Sequence, residues 1–218
     1  MELSIRLVKL KIILLMIRKI VIIIIVFLSF TAQSQDFSAG VQLGMTGTQV
    51  TGDGLSGFNK AGMFAGVYVS RPLGRLGSGQ LEINFIQKGS RKNAKPSDGI
   101  YDAYLLRMNY IEVPVMYKFK IIKPLEVEVG LQLAYLINYR EFDEHGEFYP
   151  DPSIPDLKKF DLSAFAGLHY KINDKWGVSF RYAYSIIPLR PKPDHAYFRW
   201  DAGMFNEVLC TTFQYTFQ

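Results

Sequence analysis

One cysteine, Cys210, stands in 218 residues. No intrachain disulfide can form even in an oxidising compartment, so cohesion must come from backbone pairing and packing. Cys210 itself reads as a small side chain on a strand. Long apolar runs are also scarce. The longest, Ile20 to Phe30, falls short of the ~20 residues a membrane-spanning helix needs. Excess charge of one sign is concentrated at the start, because residues 1–34 hold five basic residues (Arg6, Lys9, Lys11, Arg18, Lys19) against one acid, Glu2. The remainder carries 20 basic against 19 acidic side chains, which excludes a nucleic-acid partner recognised through a basic surface. Histidine is rare. His145 among Asp143, Glu144 and Glu147, and His195 after Asp194, lack the spacing of a metal ligand set. No metal or other cofactor is expected.

The first 34 residues have the layout of a secretory signal peptide. Met16-Ile17-Arg18-Lys19 is the basic region, Ile20 to Phe30 the apolar core, and Ala32-Gln33-Ser34 the small-residue approach to a cut before Gln35. Residues 1–15 are long and charged for such a leader, so translation is expected to begin at Met16. No cysteine follows the apolar core, so a lipid anchor there has no support. Residues 35–218 suit one domain.

The rest of the chain alternates apolar and polar residues with a period of two, the mark of β-strands with one greasy face. The pattern is longest between Asp102 and Glu141. Ile111, Val113, Val115, Tyr117 and Phe119 oppose Glu112, Met116 and Lys118; Leu125, Val127, Val129, Leu131, Leu133, Tyr135 and Ile137 oppose Glu126, Glu128, Gln132 and Asn138. Six further alternating segments begin near Phe37, Ala61, Leu81, Asp161, Trp176 and Val208. Each is about as long as a tilted strand needs to cross a bilayer, roughly 9–11 residues. Longer polar connections (52–59, 91–100, 141–156, 188–202) alternate with shorter ones (72–79, 120–124, 173–175). The sequence therefore predicts an all-β fold, an eight-stranded antiparallel up-and-down transmembrane barrel with short periplasmic turns and long external loops.

Eight strands leave an interior only wide enough for side chains. The polar parity alternates small residues with a few long charged ones, whereas the apolar parity is bulky and suits a lipid-wetted exterior. Glu82, Glu112, Lys118, Glu126, Glu128, Asp161, His169, Lys171 and Arg181, with Lys88 on the same parity, are expected to line the lumen as paired charges, since isolated buried charges are prohibitively costly. Phe37, Tyr117, Phe119, Tyr170, Trp176, Tyr215 and Phe217 fall on the apolar parity near the short turns. They are expected to form an aromatic girdle at the periplasmic interface. Pro114 interrupts the fourth strand and should mark a bulge or a loose seam. In the loops, Tyr149, Arg190, Lys192, Tyr197, Phe198, Arg199 and Trp200 combine stiffening prolines with residue types that dominate interfaces, a candidate binding surface.

The run Tyr110-Ile111-Glu112-Val113-Pro114-Val115-Met116-Tyr117-Lys118, followed by Gly130-Leu131-Gln132-Leu133-Ala134-Tyr135-Leu136, resembles the core motif of PorT-like outer-membrane barrels; Phe160 to Gly167 and Arg181-Tyr182 are similar to later strands of that family. The chain ends Phe217-Gln218 rather than on the terminal aromatic usual in such barrels. The resemblance implies an eight-stranded barrel in the outer membrane of a Gram-negative bacterium that uses type IX secretion, with envelope or secretion proteins as partners besides outer-membrane lipid. A structural or partner-docking role without catalysis is therefore expected. Two alternatives differ in class: a secreted soluble ligand-binding barrel, which needs an apolar lumen, and a lipid-modifying enzyme built on His169 with Ser163 or Ser179, neither serine being framed by a nucleophile motif.

Overall fold

The computed structural model describes residues 37–94, 96–99, 101–148, 155–190 and 203–217. The leader assignment and loop residues Tyr149, Lys192, Tyr197, Phe198, Arg199 and Trp200 lie outside them. Among the described residues there are nine strands: β1 (Ser38–Thr51), β2 (Lys60–Pro72), β3 (Gly77–Lys92), β4 (Tyr104–Ile122), β5 (Leu125–Asp143), β6 (Gly146–Phe148), β7 (Phe160–Lys171), β8 (Trp176–Ser185) and β9 (Phe205–Phe217). Eight of them close a ring, β4-β3-β2-β1-β9-β8-β7-β5, completed by the β4–β5 hairpin. Every ring pairing is antiparallel. Closure satisfies each strand's backbone donors and acceptors from both sides, which a bilayer demands. The ninth strand, β6, sits where the sequence predicts only a loop. It pairs Glu141–Asp143 with Gly146–Phe148 and so extends the β5 hairpin beyond the ring.

Alternation in sequence becomes inside and outside in space. Leu131, Leu133 and Phe213 are 53%, 50% and 59% exposed on the outer surface, whereas Glu128 and Arg181 are 0% and 5% exposed inside. A soluble barrel with an apolar lumen needs the opposite arrangement, so that alternative is set aside. The outer surface has no solvent but acyl chains to suit it.

Local irregularities adjust the ring, among them a register shift between Lys120 and Ile122 at the β4–β5 turn. At Pro114 there is no register shift. Instead, β3 and β4 keep one register but leave unpaired the two steps between Leu81–Val115 and Asn84–Glu112, while Pro114 stays opposite Gln132 on β5. A proline has no N–H to give, and the barrel accommodates it as a short seam. The bulge lies elsewhere. Asn109 faces Asn138 but Tyr110 faces Leu136, so Ile137 is an extra residue on β5. One inserted residue flips the parity that follows. Asn138 consequently faces outward, contrary to the expectation from strict alternation, and Glu141 turns inward.

Candidate functional site

The lumen is the site on which the polar sequence pattern converges, and it is filled in layers. Deepest toward the short turns, Lys171 at the rim meets Glu126 at 2.7 Å. Lys171 is half exposed, so it closes the mouth rather than sharing the buried network predicted for it. Just above, the His169 ring and the Ser179 hydroxyl share a hydrogen bond of 2.8 Å, and Gln214 donates to the same hydroxyl at 3.2 Å.

The middle layer centres on Arg181. Its guanidinium donates to both oxygens of Glu82 at 2.7 and 2.8 Å, and to Glu128. Lys118 reaches Glu128 at 3.5 Å. The remaining oxygen capacity of Glu82 is taken by Gln42, Gln80 and Asn84 at 2.6–2.8 Å. Two cations thus face two carboxylates, with amides filling the gaps. A planar guanidinium gripping two carboxylates is the arrangement in which buried charges come closest to repaying desolvation. The third layer holds Lys88 between Glu112 at 2.6 Å and Asp161 at 3.1 Å, with Gln132 donating to Glu112 and Asn206 to Asp161. The Lys88 ammonium also lies 5.0 Å from the centre of the Tyr110 ring.

Small residues make room for these groups. Gly167 lies opposite Arg181, and a Cβ there would stand 2.9 Å from Arg181 Cγ; at Gly177 it would stand 2.4 Å from His169 Cε1. Gly177→Ala is therefore expected to displace His169 from Ser179 and to destabilise the barrel by roughly 1–3 kcal/mol, as overpacking does. Urea-driven unfolding in lipid vesicles measures this. An unchanged midpoint would show that His169 is loosely held.

Toward the extracellular end the lining becomes apolar, which alternation did not reveal. Val50, Ile86, Leu106, Met108, Tyr110, Leu136 and Val208 pack with Leu157 and Leu189, which enter from loops. Those segments are tied to each other and to the barrel by backbone hydrogen bonds, Lys158 to Leu189 and Leu136 to Lys159, each 2.7 Å. Arg190 belongs to this lid. It is buried and paired with Glu141 at 3.1 Å, and Tyr104 donates to the same carboxylate at 2.7 Å. Arg190 is thus not part of an open surface, because residues 189–190 are drawn in against the barrel mouth. Burial, and then the bond to Glu141, hold the Tyr104 phenol well above its usual pKa. Between the ionic layers lies a cavity of about 20 Å³, room for about one water. Among the described residues one triad, Asp143, Glu144 and His145, has metal-ligand proximity, and it lies at the β5–β6 turn, partly or fully exposed, with Asp143 already accepting from the backbone N–H of His145 and Gly146.

Outside, Phe37, Tyr117, Phe119, Tyr170, Trp176, Tyr215 and Phe217 all stand on the outer face at the short-turn ends of their strands. Some of their rings touch in pairs, Tyr117 with Phe119 at 4.5 Å and Trp176 with Tyr215 at 4.8 Å.

A closed eight-stranded ring with a greasy exterior and an ion-paired interior is a transmembrane β-barrel. Residues 31–190 match the outer membrane protein beta-barrel domain family, and the chain belongs to that family and to the outer membrane. No curated protein matches the sequence. Among solved structures, Neisserial surface protein A is similar at 13% identity, covering 82% of this chain and 97% of that one, with a TM-score of 0.49. Ail, the attachment invasion locus protein of Yersinia pestis, solved with the heparin analogue sucrose octasulfate, is similar at 13% identity, 83% and 99% coverage and a TM-score of 0.47. A de novo designed transmembrane barrel is similar at 10% identity, 83% and 95% coverage and a TM-score of 0.39.

Proposed function

We propose that the protein is a non-conducting, non-catalytic barrel that works as a structural or partner-docking component, through its ends rather than its bore. The observation that carries this reading is the filled lumen: ionic layers below, an apolar loop-capped layer above, and about 20 Å³ between. The lumen charges act as a rigid plug, the seven aromatics as a periplasmic girdle, and residues 1–34 as an export signal. Tyr149, Lys192, Tyr197, Phe198, Arg199 and Trp200 form the docking surface. The Ser179 hydroxyl points into the plug, where an acyl chain on the outer surface has no approach to it, which speaks against a lipid-modifying enzyme. A link to type IX secretion is supported by the PorT-like resemblance alone.

In planar bilayers the purified protein is expected to give no channel steps; stable unitary conductance would overturn the plugged reading. A photo-crosslinker at Trp200 in intact cells is expected to capture an envelope protein, and loss of secreted cargo on deletion would tie that partner to type IX secretion. Fractionation with outer membranes, and a gel shift between unheated and boiled samples, are expected of the folded barrel.

A further inference from the structure

The outer surface has a polar limit at its extracellular end. On β3, β4 and β5 it is an amide row, with Gln87 donating to Asn109 at 3.1 Å and Asn109 to Asn138 at 2.7 Å. Phe119 in the girdle lies ten residues from Asn109 along β4. At ~3.3 Å per residue and ~40° of tilt that is roughly 25 Å of height, the thickness of the apolar band of such barrels. The amide row therefore sits where acyl chains give way to headgroups.

One step farther out, Arg107 and Arg140 stand directly opposite each other on β4 and β5, both exposed. Like charges in directly opposed positions repel. Arg91 is exposed one diagonal away on β3, and it lines a cleft of about 280 Å³ together with Lys60, Gln87 and Arg107. Among the described residues no carboxylate lies within ion-pair distance of Lys60, Arg91 or Arg107; Arg140 has a loose partner in Glu147 at 3.6 Å, both well exposed. Lys60, at the extracellular end of β2 beyond the apolar band, is buried behind these arginines and donates to the Ala61 carbonyl at 3.3 Å; burial, and then the charge of Arg107, push it down to about 8. The excess is local. At the same height on β8, β9 and β1, Glu207 is satisfied by Gln49, Thr51 and Tyr182.

We propose that the patch formed by Arg91, Arg107 and Arg140, with Lys60 buried behind it, binds the phosphate of an outer-leaflet lipid headgroup, that of lipopolysaccharide. Arginine forks grip phosphate oxygens in pairs, and each basic side chain at a membrane surface adds about 1 kcal/mol of attraction for anionic lipid. Exposed Ile111, Tyr135 and Ile137 lie below the patch and offer a track for the acyl chains. A free phosphate meets the same forks but not that track.

The test uses the full barrel refolded in detergent, with its gel shift confirming the fold, and measures binding of rough lipopolysaccharide and of the same lipid after phosphatase treatment. Wild type is expected to prefer the phosphorylated lipid by roughly tenfold or more. Arg107→Glu with Arg140→Glu should abolish the preference, and Arg75→Glu on a periplasmic turn should leave it intact. Should the double variant lose the gel shift, Arg107→Gln alone serves, with an expected loss of about fivefold. Equal binding of the two lipids, or a double variant that still discriminates, overturns the proposal. Displacement by inorganic phosphate at matched concentration overturns the lipid assignment in favour of a free-phosphate site, and binding of a soluble sulfated polysaccharide with no lipid preference overturns it as well. A wild type without any gel shift would instead contradict the barrel's membrane placement.

Discussion

Arg181→Met is expected to destabilise the barrel by about 3–5 kcal/mol, the cost of leaving buried charge without its partner. Arg181 is the residue on which Glu82 and Glu128 both depend, and both carboxylates are fully buried. Methionine fills much of the same volume, so the loss isolates charge rather than packing. Lys118 remains 3.5 Å from Glu128 but is too distant to replace a guanidinium that grips both acids. Unfolding in urea from lipid vesicles gives the loss. Adding Glu82→Gln alone to the same chain should recover most of it, because the neutral amide no longer needs a cation while Lys118 and Glu128 still balance each other. Recovery that fails, or a single variant as stable as wild type, would mean that the interior is wet and the charges screened.

On the outer surface the expected cost depends on depth. Leu133 lies opposite Val113, midway between the aromatic girdle and the amide row. Leu133→Arg should cost about 2–4 kcal/mol, as a charge at the bilayer midplane does, whereas Ile137→Arg, beside Asn138 at the boundary, should cost only about 0–1 kcal/mol. Both residues are about equally exposed, 50% and 49%, so water exposure alone predicts no difference between them. Equal, small losses in the same unfolding experiment would argue against acyl chains around Leu133.

Much of the architecture was legible because a period of two is local. Each of Leu131, Val178, Phe213, Glu128 and Arg181 declares its face by its neighbours alone, and the turn lengths order the strands. What failed depends on distant or irregular features. The extra residue Ile137 leaves an unremarkable alternating run, so neither the outward turn of Asn138 nor the inward turn of Glu141 could be read from it. The match of Arg181 with Glu82 joins positions 99 residues apart across the ring, and spacing along a chain does not reveal which lumen charges share a layer. Leu157 and Leu189 lie in segments rich in polar residues and proline; only the folded ring shows that an apolar lumen end needed them. Arg190 has the sequence pattern of a surface group for the same reason. Lys88 stood on the correct parity, but its place between Glu112 and Asp161 became apparent only with closure. The Arg107–Arg140 opposition was hidden as well, because it depends on the bulge that shifts β5.

Nitroxide scanning of β5 in lipid vesicles, in a Cys210→Ser background, tests the central claim most directly. A single cysteine is placed in turn at Val129, Leu131, Leu133 and Tyr135 and at Gln132 and Ala134, and the label's collision rate with dissolved oxygen is compared with that for a water-soluble relaxer. Strong oxygen contact and weak relaxer contact are expected at the four odd positions, and little of either at the two even ones. Oxygen contact at the even positions, with the odd ones open to the relaxer, would place the greasy face inside and contradict it.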